Sequence, residues 1–263
     1  IRGEHIRPAK LLTYTCIPLS VGMFPHMFMH WLTAERAAAF KKPLILYPLC
    51  IAAVWIPSVL LGIFGAAEFE GLKGPAANYV LIRMIAKHAP TALAGLLCAG
   101  VFAAIMSSLD SQALSLGSMF THDIVRHYGF HDRMSEKQQI LFGRIFVFAV
   151  LALTFVLAQV TNRSIFRLGV WCFTGFAAMF PVVLAALFWR RSTKVGAIAS
   201  VATVIVLWTF FFTKGWTNPA YTVGGTGVMP VVVILGASAA AMVVGSLVSR
   251  PPETATISKF FRD

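Results

Sequence analysis

The chain has 263 residues, of which 58% are hydrophobic and only 12% are charged, and its mean hydropathy is +0.77. A soluble domain carries about 25% charged and about 45–50% apolar residues, so this composition excludes a water-soluble enzyme and indicates an integral membrane protein. The net charge of +12 fits cytoplasmic loops, where Lys and Arg accumulate, better than nucleic-acid binding, because no basic cluster is interleaved with aromatics.

Seven apolar segments are long enough to cross a bilayer, which needs about 20 apolar residues in a helix. They are predicted at residues 11–34, 43–67, 91–121, 139–160, 165–189, 195–214 and 228–249. Between them, a helical stretch is expected from Asn78 to Lys87, and a polar, basic connection from His122 to Glu136. The sequence therefore predicts a multi-pass helical protein.

The distribution of Lys and Arg predicts the orientation of these spans. The clusters Lys41–Lys42 and Arg190–Arg191–Lys194 fall in the same set of alternating loops, which we expect to face the cytoplasm. Residues 1–10 are then expected to be an extracellular lead-in, residues 11–249 a transmembrane domain, and residues 250–263 a disordered cytoplasmic tail.

The first span carries three helix breakers, Pro18, Gly22 and Pro25. Backbone groups freed at membrane depth are tolerated only beside protein or a water-filled cavity, and transporters use broken helices to expose backbone groups to substrate. Phe24, Pro25 and His26 lie at the interruption and are candidate substrate-lining residues; an ordinary proline kink is the alternative. His26 and His30 share a helical face, but a histidine pair without a third ligand indicates packing rather than a metal site.

The third span carries a stripe of small and hydroxyl-bearing residues. At about 100° per residue its members fall within about 60° of Ala104; they are Gly100, Ala104, Ser107, Ser108, Ser111, Ser115 and Ser118. Asp110 lies near the flank shared with Ser107, and a carboxylate inside an apolar span marks an ion path or a binding site by default. Because hard cations prefer such oxygen ligands, the stripe predicts a cation site. Ordinary helix–helix packing through small residues is the alternative.

The fifth span contains Trp171, Phe173 and Thr174 among glycines and further aromatics. These three residues are candidate substrate-lining residues, because Thr and aromatic side chains suit the wall of a cavity. An interfacial aromatic belt with a packed interior is the alternative.

Four stretches resemble the sodium:solute symporter family, in the family's order and spacing. They are residues 103–112 with 120–125, residues 22–30, residues 174–183 and residues 188–197. His30 stands where the family usually has Arg. The resemblance implies an all-α integral membrane protein with a partial LeuT-type inverted-repeat fold that begins at the sixth core helix. The missing N-terminal helices of the same protein are therefore expected partners.

The resemblance also implies which oxygens bind sodium. The matching positions are the Ala104 carbonyl and the hydroxyls of Ser107 and Ser108. Asp110 and Ser111, together with Ser107, match a second cation position found in some members. No cofactor is expected, and sodium is the coupling ion.

The function implied by the resemblance is secondary active transport, in which sodium drives uptake of a small organic solute by alternating access. Sugar-transporting members carry a Gln-Glu pair where this chain has Trp171 and Cys172, which favours an amino acid or a carboxylate over a sugar. A transporter-like sensor domain of a larger signalling protein is the alternative. An enzyme is not expected, because spacing supports no nucleophile–base pair. The expected partners are solute, sodium and the lipid bilayer of the cell membrane, with no nucleic acid.

Overall fold

The computed structural model describes residues 8–72, 74–127, 135–161, 163–218 and 221–261. Every named element within these residues is a helix. The contacts divide the chain into two compact units. We call Pro25–Ile165 the continuous unit, and Ile1–Phe24 with Phe166–Asp263 the split unit.

Six helices of the described residues are long and apolar enough to cross a membrane. They lie at Ala37–Glu68, Thr91–Arg126, Glu136–Val160, Ile165–Phe188, Lys194–Trp216 and Pro230–Val248. A seventh candidate joins Pro8–Met23 to Pro25–Leu32 across a break. These helices confirm the prediction of an all-helical, multi-pass membrane protein with about seven spans.

The described residues of the continuous unit form five α-helices with short 3₁₀ segments between them. Its elements are α2 (Pro25–Leu32), a 3₁₀ turn (Ala37–Phe40), α3 (Lys41–Glu68), a 3₁₀ turn (Gly74–Tyr79), α4 (Val80–His88), α5 (Thr91–Met119), a π-helix (Phe120–Arg126) and α6 (Glu136–Val160). The helix α4 confirms the predicted helical stretch between the second and third spans. The helix α6 begins at a capping box. The Ser135 hydroxyl accepts a hydrogen bond from the backbone N–H of Gln138, and the Gln138 side-chain oxygen accepts one from the backbone N–H of Ser135.

The end of α5 differs from the expectation. The π-helix continues the chain to Arg126, whereas the sequence predicts a polar connection from His122 onward. Phe120 stacks on Phe146 of α6 with ring centroids 4.1 Å apart, and Val125 is buried. Packing against α6 therefore holds helical turns that local composition does not favour.

The split unit is built around two long helices that pack along each other, α9 and α10. Its elements are α1 (Pro8–Tyr14), a 3₁₀ helix (Ile17–Met23), α7 (Ile165–Ala177), α8 (Phe180–Phe188), α9 (Lys194–Thr217), α10 (Pro230–Val248) and α11 (Thr254–Phe260). At the crossing of α9 and α10, a Cβ added to Gly245 would lie 2.8 Å from the Gly196 Cα. The two backbones thus touch, as small residues allow in membrane helix pairs.

Two of the spans are interrupted. In the first, the 3₁₀ helix ends at Met23 and Phe24 has an extended backbone, which confirms the interruption that the proline and glycine pattern predicts. In the fifth, which is one candidate span from Ile165 to Phe188, a turn at Ala178 and Met179 separates α7 from α8. Pro181 has no N–H to bond the carbonyl of Ala177 four residues earlier, which explains the break.

The tail also differs from the expectation of disorder, because α11 occupies Thr254–Phe260. The Glu253 carbonyl accepts hydrogen bonds from the Thr256 and Ile257 amides at 2.9 and 3.1 Å. The Arg190 guanidinium lies 5.9 Å from the centroid of the Phe261 ring, a distance typical of a cation–π contact. The tail therefore packs on the turn between α8 and α9.

Candidate functional site

The predicted sodium-binding oxygens lie on one exposed surface of α5. Ala104, Ser107 and Ser108 are all exposed. The Ser108 hydroxyl donates to the Ala104 carbonyl at 3.2 Å, so two of the three oxygens are already neighbours. The Ser107 hydroxyl makes no hydrogen bond within the described residues. This surface offers one carbonyl and two hydroxyl oxygens within a single helical turn.

Three oxygens on one helix form only part of a cation site. Hard cations such as calcium take about 6–8 oxygen ligands in proteins. Within the described residues, no group of three or more His, Cys, Asp and Glu side chains comes together. A cation bound at this surface would therefore need further ligands besides these three oxygens.

The two residues matched to a second cation lie on the neighbouring part of α5. Asp110 is exposed and forms no ion pair within the described part of the chain. Ser111 is half-buried, and its carbonyl accepts the Ser115 hydroxyl at 2.9 Å. The Asp110 carboxylate adds a negative charge beside the serine surface, which suits a cation.

The helix that carries Pro25 and His26 packs against α5 within the continuous unit. Both residues are half-buried, in the first turn of α2. Two of the substrate-lining candidates thus lie on a helix that contacts the helix with the candidate sodium ligands. His26 and His30 find no third ligand of the metal-binding types in the described residues.

In the split unit, Phe24 lies in an aromatic cluster with α7. Its ring centroid is 5.5 Å from that of Phe173, edge to face, and 4.6 Å from that of Phe176. Phe173 is 40% exposed, so the cluster presents an aromatic face at the end of the interrupted helix. Aromatic walls of this kind suit the apolar part of a small solute.

Thr174 and Trp171 face inward from α7. Thr174 is buried, and its hydroxyl donates to the Val170 carbonyl at 2.7 Å. The Trp171 ring packs edge-on against Trp208 and Phe212 of α9, with centroids 6.4 and 5.5 Å apart. The Trp171 carbonyl accepts the Trp208 indole N–H at 3.0 Å. Trp171 therefore joins α7 to α9.

Sequence reasoning missed two residues that shape these surfaces. Phe176, three positions after Phe173, completes the aromatic cluster, and its helical spacing was a usable signal. Ser238 on α10 donates to the Ala178 carbonyl at 2.7 Å and so satisfies the backbone at the break of the fifth span. No local signal pointed to that contact, because 60 residues separate its partners.

Comparisons with known proteins identify the family of this chain. The model of the sodium:solute symporter family matches residues 6–203. The high-affinity proline transporter PutP of Bacillus subtilis (strain 168) is 30% identical over 192 residues, which cover 70% of this chain and 40% of that protein.

Two further relatives match more of the chain. The osmoregulated proline transporter OpuE of the same strain is 25% identical over 259 residues, covering 95% of this chain and 50% of that protein. The sodium/proline symporter of Escherichia coli (strain K12) is 29% identical over 237 residues, covering 83% of this chain and 46% of that protein. The chain spans about half the length of the curated relatives it matches.

Proposed function

Because the chain belongs to the sodium:solute symporter family, we propose that the protein is a secondary active transporter in which inward sodium movement drives the uptake of a small organic solute. The relatives it matches are transporters by name, not enzymes. They lend no support to a sensor domain of a signalling protein.

The observation that carries this proposal is the exposed oxygen surface of α5. Sodium would bind the Ala104 carbonyl and the hydroxyls of Ser107 and Ser108, which lie within one helical turn. Its remaining ligands would come from N-terminal helices outside this chain, in keeping with the greater length of the relatives. To couple transport, sodium must bind the outward-open state better than the inward-open state.

A second cation position is proposed further along α5. Asp110 and Ser111, with Ser107, would supply its oxygens. The exposed Asp110 carboxylate, which has no ion-pair partner in the described residues, supports this assignment. A charged group in an apolar span is retained where it serves binding.

For the solute we propose an amino acid, with proline as the first compound to test, because three relatives carry proline in their names. Phe24 and Phe173 would contact the apolar part of the solute, as members of one aromatic cluster. Thr174, on the same helix as Phe173, is a further candidate in the split unit, and Pro25 and His26 on α2 are separate candidates in the continuous unit. Trp171 would act by holding α7 on α9, since its ring packs there.

We further propose the orientation that the basic loops indicate. The loops with Lys41–Lys42 and Arg190–Arg191–Lys194, and the tail 250–263, would face the cytoplasm, with residues 1–10 outside. No cofactor is required by this scheme beyond sodium as the coupling ion.

The test is uptake of labelled proline by the intact protein in proteoliposomes, with and without an inward sodium gradient. Ser108→Ala removes one proposed sodium ligand. Interactions with a charged group are worth about 1.5–3 kcal/mol, so the sodium concentration for half-maximal uptake should rise at least about tenfold. Ser107→Ala should have a similar effect.

The matched control is Ser58→Ala. The Ser58 hydroxyl donates to the Val54 carbonyl at 2.8 Å on an exposed face of α3, the same local bond that Ser108 makes on α5. Sodium dependence should be unchanged in this variant. Unaltered sodium affinity in both Ser107→Ala and Ser108→Ala would refute the sodium site. Equal rates of uptake with and without the sodium gradient would refute the coupling.

A further inference from the structure

Arg144 is a cation inside an apolar helix, and it has no partner among the residues that the structure describes. After Lys137 it is the only charged residue of α6, and at about 1.5 Å per residue it lies about 12 Å along the axis from Glu136. Its side chain is exposed and makes no ion pair or hydrogen bond within the described residues. Charged side chains at membrane depth are almost always paired, so we expect Arg144 to bind an anion.

The side chain of Arg144 lines a groove of about 610 Å³ between α6 and the helix formed by α5 and the π-helix. The two helices touch at the floor of the groove. A Cβ added to Gly143 would lie 2.7 Å from the Thr121 Oγ1, and one added to Gly117 would lie 2.9 Å from a Val147 methyl. Because the two glycines let the backbones of α5 and α6 approach this closely, the larger side chains on either side of the contact form the walls of the groove.

The walls of this groove differ between its two ends. Leu114, Phe148 and Leu151 make one end apolar. His122 and Arg144, with neighbouring hydroxyls, make the other end polar and basic. Among the described residues, no acidic side chain lines the groove: Asp123 on the π-helix is not one of its lining residues, and it forms no ion pair with Arg144.

We propose that this groove binds an anionic phospholipid. An acyl chain would lie along Leu114, Phe148 and Leu151, and the phosphate would pair with Arg144 beside His122. Basic pockets between transmembrane helices bind anionic headgroups, and a long arginine side chain extends along apolar surface to reach the headgroup level. The charge of the groove and its apolar walls match the two halves of such a lipid. This inference does not depend on sodium binding or on the identity of the solute.

The experiment measures lipids bound to the intact protein by native mass spectrometry. Phosphatidylglycerol and phosphatidylcholine with identical acyl chains are added to the protein in a neutral detergent. The wild type should retain phosphatidylglycerol in preference to phosphatidylcholine. Arg144→Gln should weaken phosphatidylglycerol binding about fivefold, the factor that corresponds to about 1 kcal/mol per cation near an anionic headgroup.

Two further variants separate the charge from the groove. Lys42→Gln, which removes an exposed cation near the start of α3 and outside the groove, should leave phosphatidylglycerol binding unchanged. Ala113→Trp, which fills the apolar end, should reduce the binding of both lipids while leaving every charge in place. The thermal unfolding midpoint without added lipid shows that each variant is folded.

Several results would overturn the proposal. These are equal retention of the two lipids by the wild type, unchanged binding in Arg144→Gln, and a loss in Lys42→Gln as large as that in Arg144→Gln. Competition by glycerol phosphate as strong as that by the whole lipid would assign the groove to a small anion. A groove already filled by helices outside this chain would retain no lipid, which would equally refute the assignment.

Discussion

Two serine-bearing surfaces of this protein have similar composition and opposite surroundings. In the split unit, Ser200 and Ser238 are completely buried, and their hydroxyl oxygens lie 2.8 Å apart across α9 and α10. In the continuous unit, Ser107 and Ser108 are exposed on α5, and the only hydrogen bond of the two hydroxyls within the described residues stays inside the helix. Serine hydroxyls thus join one pair of helices, whereas within the described residues those of Ser107 and Ser108 bond to no other helix.

The difference shows what a serine stripe in a membrane helix means. Where a partner helix is present, the hydroxyls bond across the interface and the small side chains let the backbones approach. An unpaired hydroxyl is costly in hydrocarbon, so the α5 surface must meet something other than lipid tails. The proposed cation, completed by ligands from outside this chain, would satisfy that requirement.

The largest expected effect comes from closing the space between α9 and α10. Gly245→Ala would place a Cβ 2.8 Å from the Gly196 Cα, a backbone atom that cannot move alone. Overpacking typically costs about 1–3 kcal/mol, so the free energy of unfolding of the intact protein should fall by that amount. Denaturant titration in detergent micelles measures it.

The control lies on the same helix. A Cβ added to Gly236 meets nothing within 4 Å, so Gly236→Ala should change the free energy of unfolding by less than about 0.5 kcal/mol. Equal losses in the two variants would mean that α10 does not pack on α9 through Gly245.

A smaller effect is expected from the buried serines. Ser238→Ala removes the hydrogen bond to the Ala178 carbonyl at the break of the fifth span, together with the contact between the Ser238 and Ser200 hydroxyls. Hydrogen bonds between membrane helices are worth about 0.6 kcal/mol on average and about 1.7 at most, and the loss of unfolding free energy should fall in that range. The sodium concentration for half-maximal uptake should stay as in the wild type. If it rose as much as in Ser108→Ala, the buried and the exposed serines would not differ in function.

The spans, the interrupted first helix and α4 were predictable because their signals are local. A run of about 20 apolar residues predicts a span, and Pro25 with Gly22 predicts the break at Phe24. The stripe on α5 was also readable from helical periodicity alone. The assignment of Ala104, Ser107 and Ser108 to sodium, by contrast, came from the family resemblance.

What the sequence could not predict depends on partners distant along the chain. The break between α7 and α8 is stabilised by Ser238, 60 residues away from Ala178. The π-helix persists because Phe120 stacks on Phe146, and the groove at Arg144 exists only where α5 and α6 touch. Whether a serine is buried or exposed likewise depends on the neighbouring helix, and the periodicity of one helix does not predict which helix packs against it.

The smallest expected effect decides between the two meanings of the α5 stripe. In sodium-free buffer, Ser108→Ala should lower the free energy of unfolding by less than about 0.5 kcal/mol, because the hydroxyl is exposed and bonds only to the Ala104 carbonyl of its own helix. Ser58→Ala, which loses the same kind of bond on α3, should give an equally small change. If Ser108→Ala instead costs as much as Ser238→Ala without sodium, then the α5 surface is a packing surface like that of α9 and α10, and its oxygens are not free to bind a cation.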